Sequence, residues 1–177
     1  MKPVIILDRD GVINEDSLQY IKSPDEFLPL PGSIDAIARL TAAGYRLAVA
    51  TNQSGVARGY YDEAQLAAIH NKMLELVHAA GGDIEMIAYC PHMPEVGCVC
   101  RKPNPGLLQR IAKHFNCSLT NVPFVGDRLS DIEAAQAAGA MPIMVLSSMT
   151  DRLGLAAYPH VPVFLSLAEF VDDVLSK

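Results

Sequence analysis

The chain alternates short, continuously apolar runs with longer segments whose apolar residues recur at helical spacing. Six runs predict strands: Val4–Leu7, Leu47–Ala50, Ile84–Ala88, Pro123–Val125, Pro142–Val145 and Val163–Leu165. They are bounded by Gly, Asp or Pro and lack an apolar/polar alternation, the pattern of strands covered on both faces. Between them, five amphipathic stretches predict helices. Ser33–Ala43 is closed by Gly44, Asp62–Ala80 opens on Asp-Glu, and Pro105–Phe115 carries proline in its first turn. Ser130–Ala138 is closed by Gly139, and Leu167–Leu175 lies near the C-terminus. Strand and helix in alternation imply right-handed βαβ units, hence an α/β fold with a three-layer, doubly wound parallel sheet. There is no internal repeat and no linker, so residues 1–177 are expected to form one domain. The stretch from Thr150 to Lys177 is expected to add a strand and helix at an edge of the sheet.

In such a sheet, ligands bind beyond the carboxyl ends of the strands. Polar clusters occur where that rule wants them. Asp8 and Asp10 follow the first run, "TNQSG" (Thr51–Gly55) follows the second, and "GDRLSD" (Gly126–Asp131) follows the fourth. "CRKP" (Cys100–Pro103) leads into the helix before the fourth strand. Four groups distant in sequence are therefore expected to converge on one rim.

Composition narrows what the rim can do. Half the residues are apolar and 19% are charged, which excludes a disordered chain. A net charge of −6 and no basic run speak against a nucleic-acid partner. No segment reads as a signal peptide or membrane span, so a cytosolic protein is expected, its four cysteines present as thiols or metal ligands. No long exposed apolar helix advertises an interface, and the expected state is a monomer.

Taken singly, the polar clusters are ordinary: a D-x-D loop, a helix cap, turn threonines, a surface lysine. Together they are not. Asp8, Asp10 and Asp127 around one point ionise together only with a cation among them. Hard oxygen ligands of this kind suit Mg²⁺, which favours one or two carboxylates, waters and a substrate phosphate. Asp10 is expected to offer the ion only its backbone carbonyl, leaving its side chain for proton transfer. Lys102, Arg101, the hydroxyls of Thr51 and Ser54 and nearby backbone N–H groups form the complementary half, donors for phosphoryl oxygens.

A second cluster lies in "CPHMPEVGCVCRKP" (residues 90–103). Cys90, His92, Cys98 and Cys100 supply the Cys₃His set of a tetrahedral zinc site, with Pro91, Pro94 and Gly97 to bend the loop. Four protein ligands leave no open position, so a structural zinc is expected, fixing Arg101 and Lys102 beside Cys100. Cys117 lies apart and reads as a buried or half-buried thiol. His70 and His78 read as surface or half-buried residues, and Arg58 as structural.

D-x-D-G after the first strand, T-N-Q-S-G after the second, a lysine before a helix and G-D-x-x-x-D after the fourth, in that order, resemble the haloacid-dehalogenase superfamily. The resemblance spans about residues 3–147. It implies that Asp8 attacks phosphorus to form an aspartyl-phosphate and that Asp10 protonates the leaving oxygen and then activates water. It also implies that Thr51 and Lys102 hold the phosphoryl oxygens, that Asp8, Asp10 and Asp127 hold Mg²⁺, and that Asp131 acts behind them on Lys102 or a bound water. No large cap fits in this length, so the site is expected to be open.

With the zinc loop included, the motifs resemble the D-glycero-D-manno-heptose 1,7-bisphosphate 7-phosphatases of bacterial heptose synthesis. The histidinol-phosphate phosphatases are a related alternative. A zinc-stabilised binding protein without turnover, or a phosphotransferase using an alcohol acceptor, are the readings from other classes. The heptose resemblance implies a small sugar-phosphate substrate, with Asp16 to Tyr20 lining the sugar pocket beside Thr51, Asn52, Gln53 and Ser54. Arg101, Lys102 and Arg128 are the cations expected to meet substrate.

Overall fold

The computed structural model describes residues 2–177. Six parallel strands form one sheet: β1 (Val4–Leu7), β2 (Arg46–Asn52), β3 (Met86–Cys90), β4 (Pro123–Gly126), β5 (Met141–Val145) and β6 (Val163–Phe164). Their order is β3-β2-β1-β4-β5-β6. The chain thus winds outward from β1 in one direction, returns to pair β4 on the other side of β1, and winds outward again. The doubly wound α/β architecture expected from the sequence is the one observed.

The helices are α1 (Ser33–Ala42), α2 (Glu63–Ala79), α3 (Gly106–Phe115), α4 (Leu129–Ala138) and α5 (Leu167–Leu175). Because successive strand side chains face opposite ways, β1 feeds two cores at once. Ile5 and Leu7 pack with Ile37 and Leu40 of α1, Met73 and Val77 of α2, and Phe170 and Val171 of α5. Val4 and Ile6 pack with Leu107, Leu108 and Ile111 of α3 and Ala134 and Ala135 of α4. Two-sided burial is why these strands read as unbroken apolar runs.

Several boundaries differ from expectation by one or two residues, and two of them show local reasons. The third strand is Met86–Cys90, displaced two residues from the predicted run, and its end is carried on to Cys90 because Thr51 and Asn52 of a longer β2 pair with Tyr89 and Cys90. Ile84 is buried but precedes the ladder. Helix α2 begins after Asp62, whose carboxylate accepts the Gln65 N–H at 2.7 Å while Gln65 accepts the Asp62 N–H at 2.8 Å. That reciprocal cap sets its start. Among the described residues, no helix is long and apolar enough to cross a membrane.

The C-terminal stretch is part of the core. Strand β6 extends the sheet beside β5, and Phe170 of α5 packs edge-on against Phe164 with ring centroids 5.5 Å apart. Replacing Phe170 by Ala is expected to lower unfolding free energy by about 3–5 kcal/mol, the usual cost of truncating a buried aromatic. Urea denaturation of Phe170→Ala checks this; an unchanged midpoint would make the segment an appendage.

Candidate active site

The two innermost strands meet where the winding reverses, and Asp8 N–H donates to Val125 O across that junction at 2.9 Å. Residues leaving β1 and β4 are thereby brought side by side at the carboxyl edge. One carboxylate oxygen each from Asp8, Asp127 and Asp131 lie within 4.8 Å of one another, all three residues buried. Lys102 reaches into this group. Its Nζ lies 3.0 Å from Asp8 Oδ1 and 2.7 Å from Asp131 Oδ1, and it donates to Ala50 O at 3.0 Å.

Gly11 explains how Asp127 fits. At φ +85° it occupies the left-handed region, and a Cβ there would overlap the Asp127 carboxylate. The glycine of D-R-D-G thus serves a carboxylate more than a hundred residues away.

Charge balance governs the cluster. Burial, followed by the nearby Asp131 carboxylate, raises the pKa of Asp8 well above the ordinary range despite Lys102. Burial and Asp131 likewise raise Asp127 to about 6. Burial disfavours the Lys102 charge, yet Asp131 and Asp8 outweigh it and the ammonium is stabilised. Asp127 Oδ1, moreover, is buried with no hydrogen-bond partner among the described residues. A hard divalent cation answers both features, and the donor set fits Mg²⁺.

Asp10 stands outside this cluster. Its Oδ1 accepts from Arg9 Nε at 3.0 Å, Arg9 Nη2 at 2.8 Å and Asn14 Nδ2 at 2.9 Å, and its Oδ2 accepts from Gln53 Nε2 at 3.1 Å. Burial alone would raise its pKa, but Arg9, Asn14 and Gln53 outweigh that and lower it. Gln53 is itself oriented: Nε2 also donates to Thr51 Oγ1 at 2.9 Å, and Oε1 accepts from Tyr61 Oη at 2.6 Å.

These residues open onto a cavity of about 490 Å³. Its walls include Asp8, Asp10, Asp16, Tyr20, Thr51, Asn52, Gln53, Ser54, Arg101, Lys102, Arg128 and Asp131, while Asp127 lies beneath it. Several wall residues are engaged with one another. Asn52 clamps the Lys102 backbone, accepting its N–H at 3.0 Å and donating to its carbonyl at 3.1 Å. Asp131 accepts the N–H groups of Asp127 and Arg128, each at 3.1 Å. Asp16 and Arg128 form an ion pair of 2.7 Å at the mouth.

The cysteine cluster is a separate site that abuts this pocket through Arg101 and Lys102. Cys90 and Cys100 Sγ are 3.2 Å apart, both lie 3.6 Å from Cys98 Sγ, and His92 Nδ1 is 3.3 Å from Cys90 and from Cys100. A tetrahedral zinc with bonds of about 2.3 Å has edges of roughly 3.8 Å. The four donors fit that ion. Burial pushes the Cys90 thiol up to about 12, whereas hydrogen bonds led by the Arg101 N–H outweigh burial at Cys98 and bring it down to about 6. All four cysteines are free thiols, Cys117 half-buried.

Comparison with known proteins now has a site to refer to. The HAD-hydrolase-like family model matches residues 99–172. The D-glycero-beta-D-manno-heptose-1,7-bisphosphate 7-phosphatase of Pseudomonas aeruginosa is 55% identical over 175 residues, 98% of each chain. That of Neisseria meningitidis is 43% identical over 98% of this chain and 95% of its own. The chain belongs to the heptose bisphosphate phosphatase family, within the HAD-like hydrolases. The family's D,D-heptose 1,7-bisphosphate phosphatase from B. bronchiseptica, solved with magnesium and phosphate, superposes with a TM-score of 0.91 at 45% identity over 98% of both chains. The Burkholderia thailandensis family member gives 0.74 at 39% identity, over 99% of this chain and all of its own.

Sequence reasoning missed several residues that build this heptose-phosphatase site: Arg9, Asn14, Tyr61, His70, Ser147 and Thr150. His70 is a correction, since it is 7% exposed and not at the surface. Its Nε2 lies 3.1 Å from Arg9 Nη1, and because a guanidinium only donates, Nε2 accepts and the ring proton sits on Nδ1. No periodicity reveals such a pairing, because α2 presents His70 to a residue 61 positions earlier.

Burial, then Arg9, lowers the His70 pKa to about 3. An unfolded histidine titrates near 6.5, so the unfolded chain takes up the proton first as pH falls. The contribution of His70 to stability is therefore full above about pH 6.5 and declines toward about pH 3, a loss of about 2 kcal/mol by pH 5. Denaturant midpoints at pH 7 and 5 check it, with His70→Gln expected to flatten the acid limb. An equal pH slope in both proteins would refute a neutral buried His70.

Proposed function

We propose that this chain is an Mg²⁺-dependent phosphatase that removes the 7-phosphate of D-glycero-β-D-manno-heptose 1,7-bisphosphate through an aspartyl-phosphate on Asp8. The observation that carries the reading is Lys102 Nζ set between Asp8 and Asp131, beside the unpartnered Oδ1 of Asp127, at the floor of an open pocket. The β-anomer rests on the names of relatives matched along almost the whole chain.

In this reading Asp8 Oδ1 is held by Lys102 and by the Arg9 N–H at 2.8 Å, which aims the carboxylate for attack on phosphorus. A P–O bond forms to Asp8 as the bond to the sugar oxygen breaks, and Asp10, protonated from solvent as the phosphate binds, gives that oxygen its proton. Asp10 then takes a proton from the water that attacks the phosphoenzyme, releasing phosphate and restoring Asp8. Oδ2 is the oxygen suited to this, because Oδ1 is already met by three donors. The arriving phosphate's negative charge opposes Arg9 and raises the proton affinity of Asp10. Lys102 and Thr51 donate to the phosphoryl oxygens where charge accumulates. Mg²⁺, held by Asp8, the Asp10 carbonyl and Asp127, supplies charge neutralisation and alignment of the phosphate.

At the mouth, the Arg128 side chain is 51% exposed while that of its partner Asp16 is 9% exposed. A second phosphate on the sugar meets Arg128 on its exposed side without displacing Asp16, with Arg101 as the neighbouring cation. A zinc ion on Cys90, His92, Cys98 and Cys100 ties the loop that carries Arg101 and Lys102.

Phosphate release with Mg²⁺ tests the reaction: Asp8→Asn is expected to fall to background. For the substrate, kcat/KM on the β-anomer is expected to exceed that on the α-anomer, histidinol phosphate and fructose 1,6-bisphosphate by about tenfold or more, some 1.4 kcal/mol. Equal rates on all four would leave a general phosphatase.

For the zinc, Cys98→Ala is expected to lose bound metal by elemental analysis and to lower kcat by misplacing Lys102. A zinc-free variant with full activity would remove the link between loop and site.

A further inference from the structure

Beyond β5 the chain turns through Ser147-Ser148-Met149-Thr150, and two hydroxyls of that turn grip one residue. Ser147 Oγ lies 2.6 Å from Asp127 Oδ2, and Thr150 Oγ1 lies 2.7 Å from Asp127 O. The directions of these bonds follow from their other partners. Ser147 Oγ accepts the Met149 N–H at 3.0 Å, so its own proton goes to Asp127 Oδ2. Thr150 Oγ1 accepts the Ser147 N–H at 2.9 Å, so its proton goes to the Asp127 carbonyl. The turn is a closed donor–acceptor circuit with one outlet at each end of Asp127.

The consequence falls on the other carboxylate oxygen. Asp127 is 0% exposed, its Oδ2 is occupied by Ser147, and its Oδ1 is left without a partner among the described residues. Gly11 packs against the same carboxylate, chiefly at Oδ2, where any side chain would collide with it. A carboxylate held at one oxygen, at its own carbonyl and against a glycine has little rotational freedom.

We propose that Ser147 and Thr150 are positioning residues for Mg²⁺, fixing Asp127 so that Oδ1 is presented to the ion. The proposal rests on the phosphatase reading above and adds to it residues from the turn after β5, to which that reading assigns nothing. Partners behind a metal ligand commonly contribute about ten- to a hundredfold to affinity.

Mg²⁺ binding to the substrate-free, zinc-loaded protein, measured by isothermal titration calorimetry, tests it. Ser147→Ala is expected to weaken the Mg²⁺ Kd by about ten- to a hundredfold, and Ser147→Thr, which keeps the hydroxyl, to restore it. Thr150→Val repeats the test from the carbonyl side and keeps it decisive if Ser147→Ala folds poorly. In turnover, both variants are expected to need more Mg²⁺ for half-maximal rate while approaching wild-type kcat at saturation. Wild-type Mg²⁺ affinity in folded Ser147→Ala and Thr150→Val would overturn the proposal. Asp127→Asn separates the two ideas: undiminished Mg²⁺ binding there would sink the underlying metal assignment instead.

Discussion

Lys102 sits 3.0 Å from Asp8 and 2.7 Å from Asp131, and with Asp127 these side chains make a buried set of three acids facing one base. Three carboxylates less one ammonium leave two negative charges, the amount a divalent cation cancels. Asp10 does not enter the sum, because Arg9 neutralises it locally. Burying unbalanced charge is expensive, so a chain that folds this way needs the cluster held in register. Much of the remaining architecture meets that need.

The topology supplies the first part. Only at the junction of β1 and β4 do two strand ends emerge side by side with their following loops turned apart, and Asp8 and Asp127 are the residues that leave them. The rest is local. Gly11 gives Asp127 room, the Asn52 amide pins the Lys102 backbone from both sides, and Asp131 caps the N–H groups of Asp127 and Arg128 while meeting Lys102. The cysteine loop closes the set, since Cys100 stands two residues before Lys102 and Asn104 Nδ2 donates to Cys98 O at 2.8 Å. A metal gathering the ends of that loop would act on the site through the backbone, without reaching the phosphate.

How much of this could be read from the residues depends on the range of the interaction. Strands buried on both faces leave continuous apolar runs, and ligands collect beyond their carboxyl ends, so Asp8, Asp10, Thr51, Lys102, Asp127 and Asp131 were legible as one group. C-x-H and C-x-C are legible because chelation is local. Arg9 was visible between the two aspartates, but a buried arginine there means nothing until His70 and Asp10 are seen on either side of it. Ser147 and Thr150 follow an apolar run just as Asp8 does, and the same rule applied to β5 would have flagged them. What it could not supply is direction, because a hydroxyl's role is settled by which neighbour donates to it.

The two arginines that flank the pocket show how placement decides what a charge can do. Arg9 is 0% exposed, doubly bonded to Asp10 and stopped at its far end by His70. Displacing it would strip Asp10 of its only cation and two of its four donors, so it fixes geometry. Arg128 is paired just as closely, at 2.7 Å, yet half its side chain meets water, so an incoming anion reaches it from the solvent side while Asp16, 9% exposed, stays paired. The same ion-pair chemistry is therefore closed to substrate on the floor and open to it at the rim. An open pocket with no large cap needs that division: rigid charge where phosphorus must be aligned, and accessible charge where a substrate has to be admitted and its product let go.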